Sequence, residues 1–135
     1  MGKRFGENCT ACPYIKECKS VKINGIDWKI NQQFNCKSYN IVYAILCTKE
    51  NCKETYIGET KRLLRVRLDN HRGYMNKLIH NATGTHFNQP GHTLTNVQFV
   101  ALEQIKKNSD LYRKEREEYF IRKFNTVMKG LNRKY

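Results

Sequence analysis

A glutamate on the apolar side of a C-terminal helix is the first residue whose position indicates chemistry. Glu117 precedes Phe120, Ile121 and Phe124 by three, four and seven residues, so it lies on their face of a helix. A carboxylate at such a position loses hydration unless a divalent cation or a basic group compensates it. The alternative is a glutamate at the margin of the stripe that reaches water, as most glutamates do. Glu117 is therefore a candidate metal ligand.

A second group of candidates combines a basic helix with two tyrosines. Arg67 and His71 are four residues apart and lie on one face of a predicted helix. A guanidinium fork suits a phosphate, and a neighbouring imidazole can bind phosphate or carry protons. Tyr43 and Tyr56 lie in two predicted strands, where tyrosine is also common for reasons of packing. The alternative interpretation is a solvated basic helix beside ordinary strand tyrosines.

One set of cysteines and histidines has the composition of a tetrahedral zinc site. Cys47 and Cys52 are separated by four residues, and His86 and His92 by five. The first pair precedes the second predicted strand of the domain, and the second pair flanks a predicted turn at residues 88–91. The alternative is two buried thiols and two surface imidazoles.

A second candidate zinc set lies near the N-terminus, where Cys9 and Cys12 form a knuckle with good ligand spacing. Cys36 is its third member, and Cys18 is the uncertain fourth. Six cysteines behind a basic N-terminus without an apolar segment favour metal binding over disulfides. The same pattern predicts a cytosolic or nuclear compartment.

Composition limits the class of protein and the kind of partner. The 135 residues suit one domain with a short N-terminal extension. The formal net charge of +13, from 25 Lys and Arg against 12 Asp and Glu, favours a polyanionic partner. A basic protein that is merely soluble is the alternative. No apolar run reaches the roughly 18–20 residues that span a bilayer, so no membrane partner is expected.

The elements that must position these residues form a small α/β domain. Residues 21–30 are predicted to form a hairpin, with Asn24 and Gly25 in its turn. Strands are predicted at 41–46, at 55–58 and around 97–101, with the first two antiparallel. Helices are predicted from 61 to 79, with Leu64 and Leu68 inward, and from 109–110 to 125. The chain is therefore predicted to consist of two segments, a Cys-rich extension at 1–38 and a domain at 39–135.

Taken together, these residues resemble the GIY-YIG nuclease superfamily. The first motif of that family is similar to 41–45 (Ile-Val-Tyr-Ala-Ile), although Ile41 replaces its first glycine, and the second to 56–58 (Tyr-Ile-Gly). The family's Arg-x-x-x-His helix corresponds to Arg67 and His71, its metal-binding glutamate to Glu117, and its terminal asparagine to Asn132. The resemblance implies a three-stranded antiparallel sheet flanked by helices.

A closer resemblance is to the endonuclease domain of Penelope-like retroelements, through 56–60 (Tyr-Ile-Gly-Glu-Thr) and 86–92 (His-Phe-Asn-Gln-Pro-Gly-His). It implies zinc on Cys47, Cys52, His86 and His92, and a DNA substrate nicked to prime a fused or associated reverse transcriptase. The nucleus would then be the site of action.

The same resemblance implies hydrolysis of a phosphodiester with one Mg²⁺ or Mn²⁺ on Glu117. Arg67 would hold the phosphate, and Tyr43, supported by Tyr56, would activate water. An unperturbed tyrosine has a pKa of about 10, so a basic neighbour must lower it, and Lys61 is the candidate. His71 would carry a proton or contact phosphate, and Asn132 would order the site.

Two other functions fit parts of the sequence. A non-catalytic, zinc-stabilised nucleic-acid-binding module would have the same charge and cysteines, but it would not need to combine the tyrosines with Arg67, His71 and Glu117. An interaction domain that docks a partner through its N-terminal cysteines leaves Glu117 on its apolar stripe unexplained.

Overall fold

Five strands and three helices make up the described part of the chain, which in this computed structural model comprises residues 14–16, 18–49, 52, 54–76, 82–87 and 96–132. In chain order they are β1 (Ser20–Ile23), β2 (Ile26–Lys29), β3 (Ile41–Cys47), β4 (Thr55–Thr60), α1 (Leu64–Asn76), α2 (Ala82–Phe87), β5 (Val97–Gln104) and α3 (Asp110–Phe124). None of these helices has the length and apolar character needed to cross a membrane.

The N-terminal strands β1 and β2 form the predicted hairpin, and it packs against the main domain. Asn24 and Gly25 have φ values of 51° and 82°, the left-handed conformation that a two-residue turn requires. The indole Nε1 of Trp28 donates a hydrogen bond to the carbonyl of Leu102 at 3.0 Å. The ring of Trp28 also meets Phe120 edge to face, with centroids 4.8 Å apart. The hairpin thus covers the sheet and α3.

The predicted central sheet is confirmed, with β3 between β4 and β5 and both pairs antiparallel. Alternate residues of β3 enter two clusters: Tyr43 and Ile45 pack on the side of α1, and Val42 and Ala44 on the side of α3. Its seven residues are apolar or aromatic and nearly all buried, as expected for a strand covered on both faces. β4 runs two residues further than predicted.

The helices differ from the prediction mainly at their ends. α1 begins at Leu64 rather than at residue 61, because Thr60 Oγ1 accepts a hydrogen bond from the Arg62 amide at 3.0 Å in the preceding turn. The predicted end at residue 79 lies outside the described residues. α3 follows the prediction, with Ser109 as N-cap and Asn125 in the left-handed conformation at its end. The short helix α2 was not predicted.

The C-terminal segment protects the outer edge of β4. Asn132 Oδ1 accepts from the Ile57 amide at 2.7 Å, and its Nδ2 donates to the Ile57 carbonyl at 2.9 Å. Thr126 Oγ1 also donates to Asn132 Oδ1, and the Leu131 amide donates to the Thr55 carbonyl. An unpaired strand edge is otherwise a site for aggregation. Asn132 therefore acts as a side-chain substitute for a further strand.

Replacing Asn132 with Ala should lower the free energy of unfolding by about 2–4 kcal/mol, because the buried amide and carbonyl of Ile57 both lose their partner. Urea denaturation measures this. The exposed Asn31 is a control, since Asn31→Ala should change the value by less than about 0.5 kcal/mol. Equal denaturation midpoints for the two variants would contradict the role of Asn132.

Candidate active site and metal centre

The phenol of Tyr43 is the centre of a buried hydrogen-bonded group. Its oxygen accepts a hydrogen bond from Arg67 Nε at 3.1 Å and lies 2.8 Å from His71 Nε2. Tyr43 comes from the middle of β3, whereas Arg67 and His71 come from successive turns of α1. Arg67 and His71 thus contact Tyr43, with which they were grouped in the sequence analysis.

His71 is held as a neutral imidazole. Burial, followed by the nearby Arg67 charge, lowers the pKa of His71 to about 3. Its second ring nitrogen, Nδ1, lies 3.1 Å from the hydroxyl of Thr83, which is also fully buried. A neutral ring has one N–H and one lone pair, so the two neighbours must each take one of these roles.

Burial also dominates the ionisation of Tyr43. It raises the pKa of this phenol far above its usual value, and the charge of Arg67 opposes the rise without cancelling it. That Lys61 lowers the pKa of a site tyrosine stays a prediction. Lys61 is exposed in the turn after β4, where its charge lowers the pKa of Asp110, and the cation that acts on Tyr43 is Arg67. Burial therefore controls the ionisation of this phenol, and Arg67 on α1 offsets only part of the effect.

Gly58 makes room for the phenol. It pairs with Tyr43 across β3 and β4. A Cβ atom at this position would lie 2.5 Å from the Tyr43 hydroxyl oxygen and 2.6 Å from Cζ, closer than atoms can approach. The ring of Tyr43 therefore lies directly over the backbone of Gly58, which is the reason for a glycine in this strand.

Tyr56 lies two residues before Gly58 on β4 and is half-buried. Its ring meets the His71 imidazole edge to face, with centroids 5.5 Å apart, and the Tyr43 ring meets the same imidazole at 5.8 Å. The structure thus brings both candidate tyrosines to one histidine, and the Tyr43 hydroxyl lies within hydrogen-bond distance of its Nε2.

Glu117 is half-buried on α3 and close enough to Tyr43 and Arg67 to interact with both electrostatically. Burial, reinforced by the charge of Glu59, raises the pKa of Glu117 to about 7. Within the described part of the chain, neither a hydrogen bond nor an ion pair compensates its carboxylate. A desolvated carboxylate beside a second carboxylate is a good ligand for a hard divalent cation, so the residues present fit the expected Mg²⁺ or Mn²⁺.

Glu59 and Arg113 form a buried ion pair that sequence reasoning missed. Arg113 donates to Glu59 through Nε, to Asn40 Oδ1 at 2.9 Å and to Asp110 Oδ1 at 2.8 Å. Burial disfavours the charge of Glu59, but bonds from Arg113 and Lys114 outweigh it and hold the pKa of Glu59 below its usual value. Arg113 lies one helical turn before Glu117, so this cluster ties α3 to the sheet next to Glu117. In the sequence, Arg113 looks like the exposed cations around it on the same helix.

Three of the four residues of the first zinc set come together. The ligand atoms of Cys47, Cys52 and His86 all lie within 4.8 Å of one another, and Cys52 Sγ is 3.3 Å from His86 Nε2. Burial, together with the adjacent Cys52, raises the pKa of the Cys47 thiol to about 12. Since a metal needs thiolate ligands, the ion itself would have to supply the compensating charge. The set fits Zn²⁺, and His92 lies outside the described residues.

The second set is only partly described. Cys36 is buried and Cys18 half-buried, and they pack in different hydrophobic clusters. Cys9 and Cys12 lie outside the described residues, so this candidate zinc site stays a prediction.

Comparison with known proteins agrees with this architecture. The model of the GIY-YIG catalytic domain family matches residues 39–132, and the chain belongs to that family. A search of curated protein sequences finds no significant match. Among solved structures, the catalytic domain of homing endonuclease I-TevI is similar, with 25% identity and a TM-score of 0.57 over 67% of this chain and 94% of that chain.

Family and fold together define a nuclease domain, whose substrate is DNA and whose family is metal-dependent. The correspondence covers β3, β4, both long helices and Asn132, since all lie within the matched residues. The hairpin of β1 and β2 precedes the match and is an addition to the family domain in this chain.

Glu117→Gln should stabilise the protein at pH 8 and change its stability little at pH 5, in buffer without Mg²⁺ or Mn²⁺. Because the pKa of Glu117 rises to about 7 on folding, the folded carboxyl is protonated and tolerated at pH 5. Its stability contribution is lost as the pH rises through 7, where the charge stays buried and uncompensated. For a half-buried group the gain is about 1–3 kcal/mol.

Thermal or urea unfolding of both proteins across this pH range measures the effect. The neutral His71 destabilises wild type and variant alike on acidification, so their difference isolates Glu117. Addition of Mn²⁺ at pH 8 should then raise the stability of the wild type only. A wild-type–variant difference that stays constant from pH 5 to pH 8 would show that the Glu117 carboxylate is fully solvated.

Proposed function

We propose that this chain is a DNA endonuclease that hydrolyses phosphodiester bonds with one Mg²⁺ or Mn²⁺ held by Glu117. The observation that carries the proposal is the buried Tyr43 phenol, bonded to Arg67 and His71, with the carboxylate of Glu117 in electrostatic contact. A module that only binds nucleic acid gains nothing from a buried phenol, imidazole and carboxylate, each of which costs desolvation.

Proton transfer is the task of Tyr43 and His71. The phenol takes a proton from the attacking water while its own proton passes to His71 Nε2, 2.8 Å away, so the proton ends on the imidazole. The low pKa of His71 disfavours this charge in the resting site. An incoming phosphate adds negative charge beside Arg67 and makes the imidazolium more stable. The Tyr56 ring packs edge to face against the His71 imidazole and so supports its orientation.

Arg67 serves two roles at once. Its Nε holds the Tyr43 oxygen, and the half-buried side chain remains partly open to solvent, where a phosphate can approach. A guanidinium at that position stabilises the negative charge that grows on the phosphoryl oxygens. Glu117 would hold the divalent ion, which when bound would supply Lewis-acid stabilisation of the negative charge on the phosphate.

Cleavage of supercoiled plasmid tests the proposal, with Mg²⁺ or Mn²⁺ and matched zinc content. Wild type should produce open-circle or linear DNA, and Glu117→Gln should reduce the rate by at least roughly 100-fold while retaining DNA binding. Glu115→Gln is the matched control, because it removes one exposed charge from the same helix and should keep the activity.

Salt-dependent binding of DNA without cleavage by the wild type would favour the alternative function, a non-catalytic zinc-stabilised nucleic-acid-binding module. Equal cleavage by wild type and Glu117→Gln would remove the metal assignment.

A finer proposal concerns the biological role. The motifs at 56–60 and 86–92 support a nuclease that nicks chromosomal DNA in the nucleus and leaves a 3′ end for an associated or fused reverse transcriptase. An open-circle product whose 3′ end a polymerase extends directly would support this role, and a product with a blocked 3′ end would exclude it.

We also propose that Zn²⁺ binds Cys47, Cys52 and His86, with His92 as the fourth ligand. The convergence of the first three ligand atoms supports this, and structural zinc contributes about 10–16 kcal/mol of binding free energy in small domains. The ion would join the end of β3 to α2.

Cys52→Ser should lower zinc content by one ion per chain and lower the melting temperature at the same time, because a serine hydroxyl is a poor zinc ligand. Metal analysis and thermal unfolding measure the two effects. Adding Zn²⁺ after chelation should restore the wild type but not the variant. Full zinc content in the variant would contradict the assignment.

A further inference from the structure

The short helix α2 contacts two different functional groups through residues three positions apart. The hydroxyl of Thr83 lies 3.1 Å from His71 Nδ1, and His86 Nε2 lies 3.3 Å from Cys52 Sγ. Thr83, His71 and His86 are all fully buried. Residues three apart lie on the same face of a helix, so one face of α2 meets both the imidazole beside Tyr43 and the cysteine cluster.

The hydrogen bonds around Tyr43 restrict the tautomer of His71. Arg67 Nε can only donate, so it occupies the Tyr43 oxygen as an acceptor and leaves the phenolic proton for another neighbour. His71 Nε2 can receive that proton only if it has the lone pair, which requires the N–H to be on Nδ1. The Nδ1–H then donates to Thr83 Oγ1.

The Nε2–H tautomer of His71 could not accept the Tyr43 proton. An Nε2–H would donate to the Tyr43 oxygen, which already accepts from Arg67, and Nδ1 would accept the Thr83 hydroxyl proton. No lone pair would then face the phenol, and the Tyr43 proton would have no acceptor on His71. A hydrogen bond to one ring nitrogen thus decides what the other can do.

We propose that Thr83 is a positioning residue: its hydroxyl accepts the hydrogen bond from His71 Nδ1–H, holds the imidazole in place and so keeps the Nε2 lone pair directed at the Tyr43 hydroxyl. The inference rests on the proposed nuclease function of the Tyr43 site. It assigns a role to α2 that neither the family match nor the metal cluster supplies, because Thr83 acts through His71.

Contacts of its buried residues fix the position of the six-residue helix α2. A helix this short is not stable by itself, so its position is set by its contacts. His86 and Phe87 anchor its C-terminal end among the buried residues, and Thr83 is then held against α1. The cysteine cluster and the Tyr43 site are thereby linked through one rigid turn.

Two variants and two measurements test the proposal. Thr83→Val removes the hydroxyl at nearly constant shape, and Thr83→Ser keeps it. With supercoiled plasmid and Mg²⁺ or Mn²⁺, Thr83→Val should lower kcat roughly 10- to 100-fold with little change in KM, as expected for loss of a residue that orients a functional imidazole. Thr83→Ser should retain kcat within about threefold of the wild type.

The ¹⁵N resonances of the His71 ring provide a readout that does not depend on cleavage. Wild type and Thr83→Ser should have the proton on Nδ1, whereas Thr83→Val should show a shift towards the Nε2–H form. A wild-type His71 protonated on Nε2 would overturn the proposal without any variant. So would a Thr83→Val protein that keeps both the tautomer and kcat.

Failure of the proposed nuclease function and failure of the proposed role of Thr83 give different results. If the wild type does not cut DNA, the proposed function fails, and the ring resonances still decide whether Thr83 stabilises the Nδ1–H form of His71. If the wild type cuts DNA and Thr83→Val cuts equally well, the role of Thr83 fails and the nuclease function stands.

Discussion

The burial of one phenolic hydroxyl determines the arrangement of the site. Tyr43 lies in the middle of the central strand and is fully excluded from solvent. A hydroxyl in that position must be hydrogen-bonded, because an unsatisfied polar group inside a protein costs about 1–3 kcal/mol. Arg67 and His71 satisfy it from α1, and Gly58 leaves the space for its ring. A strand, a helix and a glycine are thus fixed relative to one another by one oxygen atom.

The two carboxylates near the site, Glu59 and Glu117, differ in how well the protein neutralises their charge. Arg113 and Lys114 neutralise Glu59, and this pairing holds α3 on the sheet. Glu117, one turn further along α3, lies beside Glu59 and has no ion pair of this kind within the part of the chain that the structure describes. The buried Arg113 therefore forms its ion pair with Glu59 rather than with Glu117, and an external cation would have to compensate the charge of Glu117. Such an arrangement lowers stability, as is common where a site must bind a cation.

The parts of this fold that the sequence predicts well are those specified by local chemistry. The Asn24–Gly25 turn, the apolar β3 and the Ser109 cap have residue types that admit few alternatives. The grouping of Tyr43 with Arg67 and His71 followed from helix spacing and from family resemblance.

What could not be predicted depends on tertiary contacts. α2 has six residues of mixed type, among them a glycine and two threonines, and no apolar period, so nothing local indicates a helix. Arg113 has the same sequence signature as the exposed cations around it, and only the fold reveals that it is buried. Lys61 illustrates the same point: proximity along the chain to Gly58 suggested an influence on the tyrosine, and only the fold shows that Lys61, in the turn after β4, lies close enough to Asp110 to lower its pKa.

The location of the cysteine cluster bears on how so small a domain tolerates this site. Tyr43 and Cys47 are on the same face of β3, four residues apart, and Thr83 and His86 are on the same face of α2. A buried tyrosine, a buried neutral histidine and a desolvated glutamate each reduce the stability that a core of this size can supply. A zinc ion on Cys47, Cys52 and His86 would add its binding free energy to the two elements that carry Tyr43 and Thr83. Zinc bound at this end of the sheet would therefore stabilise the geometry of the phenol–imidazole pair as well as the fold.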